Sequence, residues 1–375
     1  MTQSTTPAGQ TSSDLRIAFF SDSLPERNGT GAYYHDLLAH LRDRVAAAET
    51  LQPRLQDGLE AISMRLPGDP TQRHRLAGAV SDPARHGRPS ATRGGQCHAR
   101  SLRAAGRTFW RVTMARATSS PLTTPISRPL PTPRPGPPRR GIGNRMLEGL
   151  NRRLCRRSDT VLVTNSGLVD TVRRLGAPRV DVMGTPIASV FLATTPPAAP
   201  QHPDPVVFAG RLAAEKNIDA LLSAARARPG QRFIIAGDGP QRAAVAAAAR
   251  ELDNLDYRGW LSRHALCDLL DEAGLLVLPS HFETFGSIAL EALARRRPVL
   301  VSANAGIHDW PQVADGPCRL APDERLEDGL ARLAAEAPSD WAARGERGHA
   351  GALELHHETL EQWLAVLTAH ARGLG

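Results

Sequence analysis

The chain has 375 residues, of which 41% are hydrophobic and 32 are Gly, too long for one ordinary domain and suited to two of roughly 150–200 residues. No apolar run approaches ~18 residues, so a membrane-spanning helix is not expected, and the polar first fifteen residues lack the basic-then-apolar order of a secretory leader. The net charge of +8 would suit nucleic acid or an anionic surface if it were evenly spread, but residues 53–140 hold 16 Arg, no Lys and four acids, a balance of +12 against −4 for the rest.

In chain order, Arg16–Ser21 reads as a short buried strand. A loop of turn formers follows, then a helix over Gly31–Ala48 with Leu37, Leu38, Leu41 and Val45 on one face. The segment 53–140 breaks this order. Pro83 to Arg140 contains no acid, and eight prolines fall within Pro121–Arg140, which rules out a central strand or an ordinary helix there. With 45 Arg and a single Lys in the whole chain, the composition is what out-of-frame reading of a GC-rich gene yields. A genuine basic, Pro-rich, disordered insert is the alternative. Order resumes with a helix at Asn144–Arg157, a strand at Thr160–Thr164, a helix at Ser166–Leu175 and a strand at Arg179–Met183.

Five prolines in Pro196–Pro205 mark a linker. Beyond it, strands at Val206–Ala209, Arg232–Ala236, Asp256–Gly259, Leu275–Leu278 and Val299–Ser302 alternate with helices at Asn217–Ala227, Gln241–Leu252, Arg263–Glu272 and Ile288–Arg296. That alternation predicts an α/β unit with a parallel sheet covered on both faces, with ligands at the loops that follow the strands. Terminal helices are expected at Glu324–Glu336 and Thr359–Arg372. Cys97, Cys155, Cys267 and Cys318 match no zinc or CxxC spacing and read as free thiols of a reducing compartment.

The residues with chemical potential lie after second-half strands. Gly210-Arg211-Leu212 and Glu215-Lys216-Asn217 follow the first; Arg211 offers a planar fork and Lys216 a point charge, a pair suited to a diphosphate or, more plainly, a surface pair beside Glu215. Gly237-Asp238-Gly239-Pro240 is most simply a tight turn. Thr284-Phe285-Gly286 opens a helix, whose free N–H groups favour an anion. Glu283 and Glu291 are eight apart, and Glu291 sits among Ile288, Leu290 and Leu293, so both carboxylates can face one pocket and accept from sugar hydroxyls. Gly29 and Gly31, between the first strand and helix, offer N–H groups to a phosphate or simply make a turn.

Together these motifs resemble family 4 of the nucleotide-sugar glycosyltransferases, retaining enzymes of the GT-B fold. The resemblance covers roughly 15–50 and 144–372, and its most specific part is Glu283-Thr284-Phe285-Gly286 with Glu291, the family's E-x7-E motif. It implies two Rossmann-like domains: an acceptor-side domain over 15–192, anomalous across 53–140; a linker at 193–205; a nucleotide-sugar domain over 206–355; and a last helix in 356–375 that crosses back to the first domain. By the same resemblance Arg211 and Lys216 hold the diphosphate and Glu283 the donor sugar. Phe285 and Gly286 present backbone N–H groups, Glu291 binds the ribose, and Gly29, Gly31 and Gly210 line the phosphates. The resemblance implies a hexose donated by a nucleoside-diphosphate sugar to an unknown acceptor, with no metal or other cofactor. It also implies a cytoplasmic location, with peripheral contact to the inner membrane face left open by Arg152, Arg153, Arg156 and Arg157; a solvated helix face is the plainer reading of those arginines. Nucleic acid is not an expected partner.

Two departures qualify the resemblance. The segment 53–140 replaces about half of the expected acceptor-side domain, which leaves the activity of this chain open. Arg295-Arg296-Arg297 and Ala305-Gly306 stand where the family commonly has small residues and paired glycines. A GT-B sugar-nucleotide epimerase is the nearest alternative; a nucleic-acid-binding protein would rest wholly on 53–140.

Overall fold

The computed structural model describes residues 16–20, 37, 40, 41, 47–54, 58–62, 97–98, 112–115 and 142–371. They form two sheets. The first has seven strands in the order β3-β2-β1-β4-β5-β6-β7: β1 Arg16–Phe20, β2 Ala47–Arg54, β3 Gly58–Ile62, β4 Cys97–His98, β5 Val112–Ala115, β6 Thr160–Val163 and β7 Val180–Val182. It is mixed: β1 runs parallel to β2, β5 to β6 and β6 to β7, whereas β2–β3, β1–β4 and β4–β5 are antiparallel.

Three of these strands, β3, β4 and β5, lie within the segment 53–140, most of which lies outside the described residues, and β2 corrects the end of the Gly31–Ala48 helix. Strands of two to five residues are too short to show a period, and β4 and β5 pair with β1 and β6, which lie far away in the chain. Of that expected helix, Leu37, His40 and Leu41 are helical, with Leu37 and Leu41 fully buried; the rest of it before Ala47 lies outside the described residues.

The second sheet has six strands in the order β10-β9-β8-β11-β12-β13, all parallel. They are β8 Val206–Ala209, β9 Phe233–Ala236, β10 Leu255–Gly259, β11 Leu275–Leu278, β12 Val299–Ser302 and β13 Pro317–Leu320. β8, β9 and β11 are buried along their whole length, as continuous apolar runs must be when helices cover both faces. The edge strand β13, reading PCRL, opens on a proline and exposes Arg319, so it carries no strand signature of its own.

The helices are α1 Ile142–Arg157, α2 Val169–Arg174, α3 Ile218–Ala227, α4 Arg242–Glu251, α5 Arg263–Glu272, α6 Ser287–Ala294, α7 Leu326–Ala334 and α8 Pro338–Ala371. α8 is longer than the helix expected at Thr359–Arg372. Three glycines, at 345, 348 and 351, depress helix propensity in its first half, yet each sits where another group comes close. A Cβ at Gly351 would stand 1.8 Å from the Gln312 carbonyl oxygen, and one at Gly345 2.6 Å from that of Arg296. Tertiary packing therefore overrides propensity. The far half of α8 meets the first sheet's side of the molecule: His370 Nε2 lies 2.8 Å from Thr160 Oγ1, and His356 Nδ1 accepts from the Ile187 amide at 3.0 Å.

Among the described residues no helix is long and apolar enough to cross a membrane.

Candidate active site

Strand order decides where the site lies. From β8 the sheet grows one way through β9 and β10 and the other way through β11, β12 and β13. The loops after β8 and β11 therefore part to opposite sides and leave a crevice at the carboxyl edge, which is where open parallel sheets bind ligands. Arg211 and Lys216 belong to the first loop, Glu283 to Gly286 to the second, and the two are tied by the His281 amide donating to the Glu215 carbonyl at 2.9 Å.

Across this crevice Lys216 Nζ pairs directly with Glu283 Oε2, both side chains mostly covered at 22% and 13% exposure. Lys216 ends the 3-10 turn Ala214–Lys216, and Asn217, in the left-handed region at φ 55°, redirects the chain into α3. Arg211 points outward at 59% exposure and approaches Glu215 at 4.0 Å, a distance at which an exposed pair contributes little. The structure thus joins Lys216 to Glu283 and leaves Arg211 on the rim.

Gly286 caps α6 with φ 92°, a conformation that a side chain resists. Phe285 is fully buried and edge-on to Trp310, with ring centroids 6.2 Å apart, so its side chain is core and only its backbone is available to a ligand. Glu291, on the second turn of α6, is 13% exposed and accepts from Arg263 Nη2 at 3.3 Å.

The third motif forms a wall. The Gly210 amide donates to the Ala236 carbonyl, the Leu212 amide to that of Asp238 and the Gly237 amide to that of Gly259. A Cβ on Gly237, at φ 140°, would stand 1.8 Å from the Gly210 carbonyl oxygen. The loops after β8, β9 and β10 are thereby fastened together, and Trp260, 62% exposed, stands at the outer end of that row. Gly29 and Gly31 lie outside the described residues.

The residues around Gly306 and the three arginines have physical reasons for their identity. A Cβ on Gly306 would meet the Thr284 carbonyl oxygen at 1.9 Å, so this glycine serves the close approach of two protein segments. Arg295, Arg296 and Arg297 hold the segment 191–198: Arg295 donates to the carbonyls of Phe191 and Thr194 and pairs with Asp271, Arg296 donates to Pro196, and Arg297 to Pro197 and Ala198. Arg295 and Arg297 are 1% and 4% exposed, a depth that charged side chains reach only when paired.

Sequence reasoning missed residues that close the site from a distance. Asn165 Nδ2 donates to the Thr284 carbonyl at 3.3 Å, and Ser166 gives both its amide and its hydroxyl to Asp309. Arg263 stands out in the sequence only as the residue after Ser262, whose hydroxyl caps α5 by accepting from the Ala265 amide; nothing local links it to Glu291, 28 positions on.

Residues 196–344 match the family model of the Glycosyl transferases group 1. The chain is 30% identical over 245 residues to the glycogen synthase of Mycobacterium tuberculosis, covering 62% of this chain and 58% of that protein. It is 38% identical over 118 residues to the GDP-mannose-dependent alpha-(1-6)-phosphatidylinositol dimannoside mannosyltransferase of Mycobacterium tuberculosis, covering 30% of this chain and 31% of the other. The chain therefore spans little more than half of the first relative and a third of the second. A solved GtfA/B complex shares its fold at TM-score 0.50 and 16% identity, over 60% of this chain and 48% of that one. The fold is thus α/β of the GT-B type, with one mixed and one parallel sheet, and the curated relatives are glycosyltransferases.

Proposed function

We propose that this protein transfers a hexose, with retention, from a nucleoside-diphosphate sugar to an acceptor, as a family 4 glycosyltransferase. The observation that carries the proposal is the Lys216–Glu283 pair at the switch point of the parallel sheet, beside the Gly286-capped start of α6. In it an ammonium and the amide-rich end of a helix face the place where a diphosphate's charge would develop. Arg211 on the rim closes over the phosphates. Glu283 accepts from the donor sugar's hydroxyls, Glu291 accepts from the ribose, and Phe285 and Gly286 contribute backbone N–H groups, with Gly210 beside the phosphates.

The bond from the anomeric carbon to the diphosphate oxygen breaks with its electron pair leaving on that oxygen. The acceptor oxygen bonds to the same face and passes its proton to the departing phosphate. Such a front-face transfer needs neither a protein nucleophile nor a metal; cations and helix dipole carry the leaving-group charge. Arg152, Arg153, Arg156 and Arg157 are exposed on α1, which supports a peripheral contact with an anionic membrane from the cytoplasmic side.

The test is thermal unfolding of the full chain with UDP, GDP and ADP, followed by product analysis with the sugar nucleotide whose nucleotide binds. A ligand at 100 times its Kd stabilises by about 2.7 kcal/mol. No shift with any of the three rejects the nucleotide site, and donor isomerisation without an acceptor replaces transfer with epimerisation.

A further inference from the structure

Glu291 is not aimed by its own helix alone. Arg263, the first residue of α5, holds Glu291 Oε1 through Nη2 at 3.3 Å. The same guanidinium lies 5.6 Å over the ring of Phe191, which is 1% exposed and ends the 3-10 turn Ser189–Phe191 at the entrance to the linker. Phe191 is fixed from a second side, because its carbonyl accepts from Arg295 just beyond the end of α6 at 3.2 Å. A buried aromatic residue thus packs against Arg263, and Arg263 in turn holds one oxygen of the Glu291 carboxylate.

We propose that Arg263 is a positioning residue for nucleoside binding: it sets the plane of the Glu291 carboxylate so that it accepts from two neighbouring ribose hydroxyls at once. The inference rests on the reading of Glu291 as the ribose acid. A glutamate side chain has enough rotatable bonds to sample many carboxylate orientations, and ordering it on binding costs affinity. A planar guanidinium seated on an aromatic face offers a fixed donor direction that an ammonium does not. A carboxylate has about four acceptor positions, of which the bond to Arg263 takes one.

The test compares affinities of the full chain for whichever of UDP, GDP or ADP it binds best and for the 2′,3′-dideoxy form of that nucleotide, by calorimetry. In the unaltered protein the hydroxyls should improve affinity roughly ten-fold, the scale of one or two charge-assisted hydrogen bonds. Arg263→Met should bring the ratio close to one while leaving dideoxynucleotide affinity unchanged. Arg263→Lys should restore part of it, and Arg263→Met should add nothing in a Glu291→Gln background. Phe191→Leu, which removes the ring but no hydrogen-bonding group, should lower the ratio less and keeps the inference testable if Arg263→Met does not fold.

Equal weakening of both ligands by Arg263→Met, or an unchanged ratio, overturns the positioning role and leaves the nucleotide site intact. Failure of the unaltered protein to bind any of the three nucleotides, or binding with no preference for the hydroxylated form, overturns the reading of the site itself and this inference with it.

Discussion

Replacing Glu283 with Gln separates the two halves of the proposed chemistry, because the ion pair with Lys216 gives the carboxylate opposite effects on nucleotide and on sugar. The Lys216 ammonium is engaged by Glu283, with both side chains largely covered. A diphosphate bound to Lys216 would place its oxygens one ion-pair length beyond the ammonium, about 6 Å from the carboxylate. Two like charges at that separation repel by about 1 kcal/mol at an effective dielectric between 40 and 80. Glu283→Gln therefore should tighten the bare nucleoside diphosphate about five-fold while sugar transfer falls by at least ten-fold. Lys216→Met should weaken both. Neither substitution is free for the fold: a pair this covered lies between an exposed bridge and a buried one, so each variant should lose about 1–2 kcal/mol. Calorimetry at low ionic strength measures the affinities, and the gain in Glu283→Gln should shrink as salt is added. If Glu283→Gln weakens the bare nucleotide as much as Lys216→Met does, the diphosphate does not sit on Lys216 and the assignment is wrong.

Gly237→Ala should cost at least ~2 kcal/mol and reduce nucleotide affinity, because its Cβ meets the Gly210 carbonyl at 1.8 Å in a left-handed backbone; an unshifted Tm would refute the wall formed by these loops. His356 is buried beside His40, and desolvation lowers its pKa to about 4. Since its folded pKa lies below the unfolded value of ~6.5, its stabilising contribution is complete above pH ~6.5 and is lost as pH falls towards 4, by up to ~3 kcal/mol. His356→Asn should flatten that part of the stability profile, and identical slopes in the two proteins would refute it. Burial raises the thiol of Cys318 to about 11 and also raises Cys155 and Cys267. Peptide-resolved alkylation at pH 7.5 should leave all three unmodified until the protein is unfolded; rapid labelling of Cys318 in the native protein would contradict its burial.

Much of the second half is legible in the residues themselves. Val206–Ala209, Leu275–Leu278 and Val299–Ser302 fall where their apolar runs place them, since a strand covered on both faces must be apolar throughout. α6 begins within a residue of its expected start because Gly286 marks the turn. What is not legible depends on partners remote in sequence. The pairing of β4 with β1 and of β5 with β6 rests on strands tens of residues away, and the glycines of α8 are explained only by the groups pressed against them.

From the sequence alone came the alternating α/β pattern, the loops marked out for chemistry by their place after strands, and the residue types Arg211, Lys216, Glu283 and Glu291 suited to a charged, hydroxylated ligand. Only the tertiary structure decided that Lys216 meets Glu283, that Arg211 stays on the rim, and that Arg263 reaches Glu291. The reason is physical: local pattern records how each residue is covered, whereas a contact between side chains 28 or 67 positions apart depends on strand order and crossover geometry, which no single stretch of chain encodes.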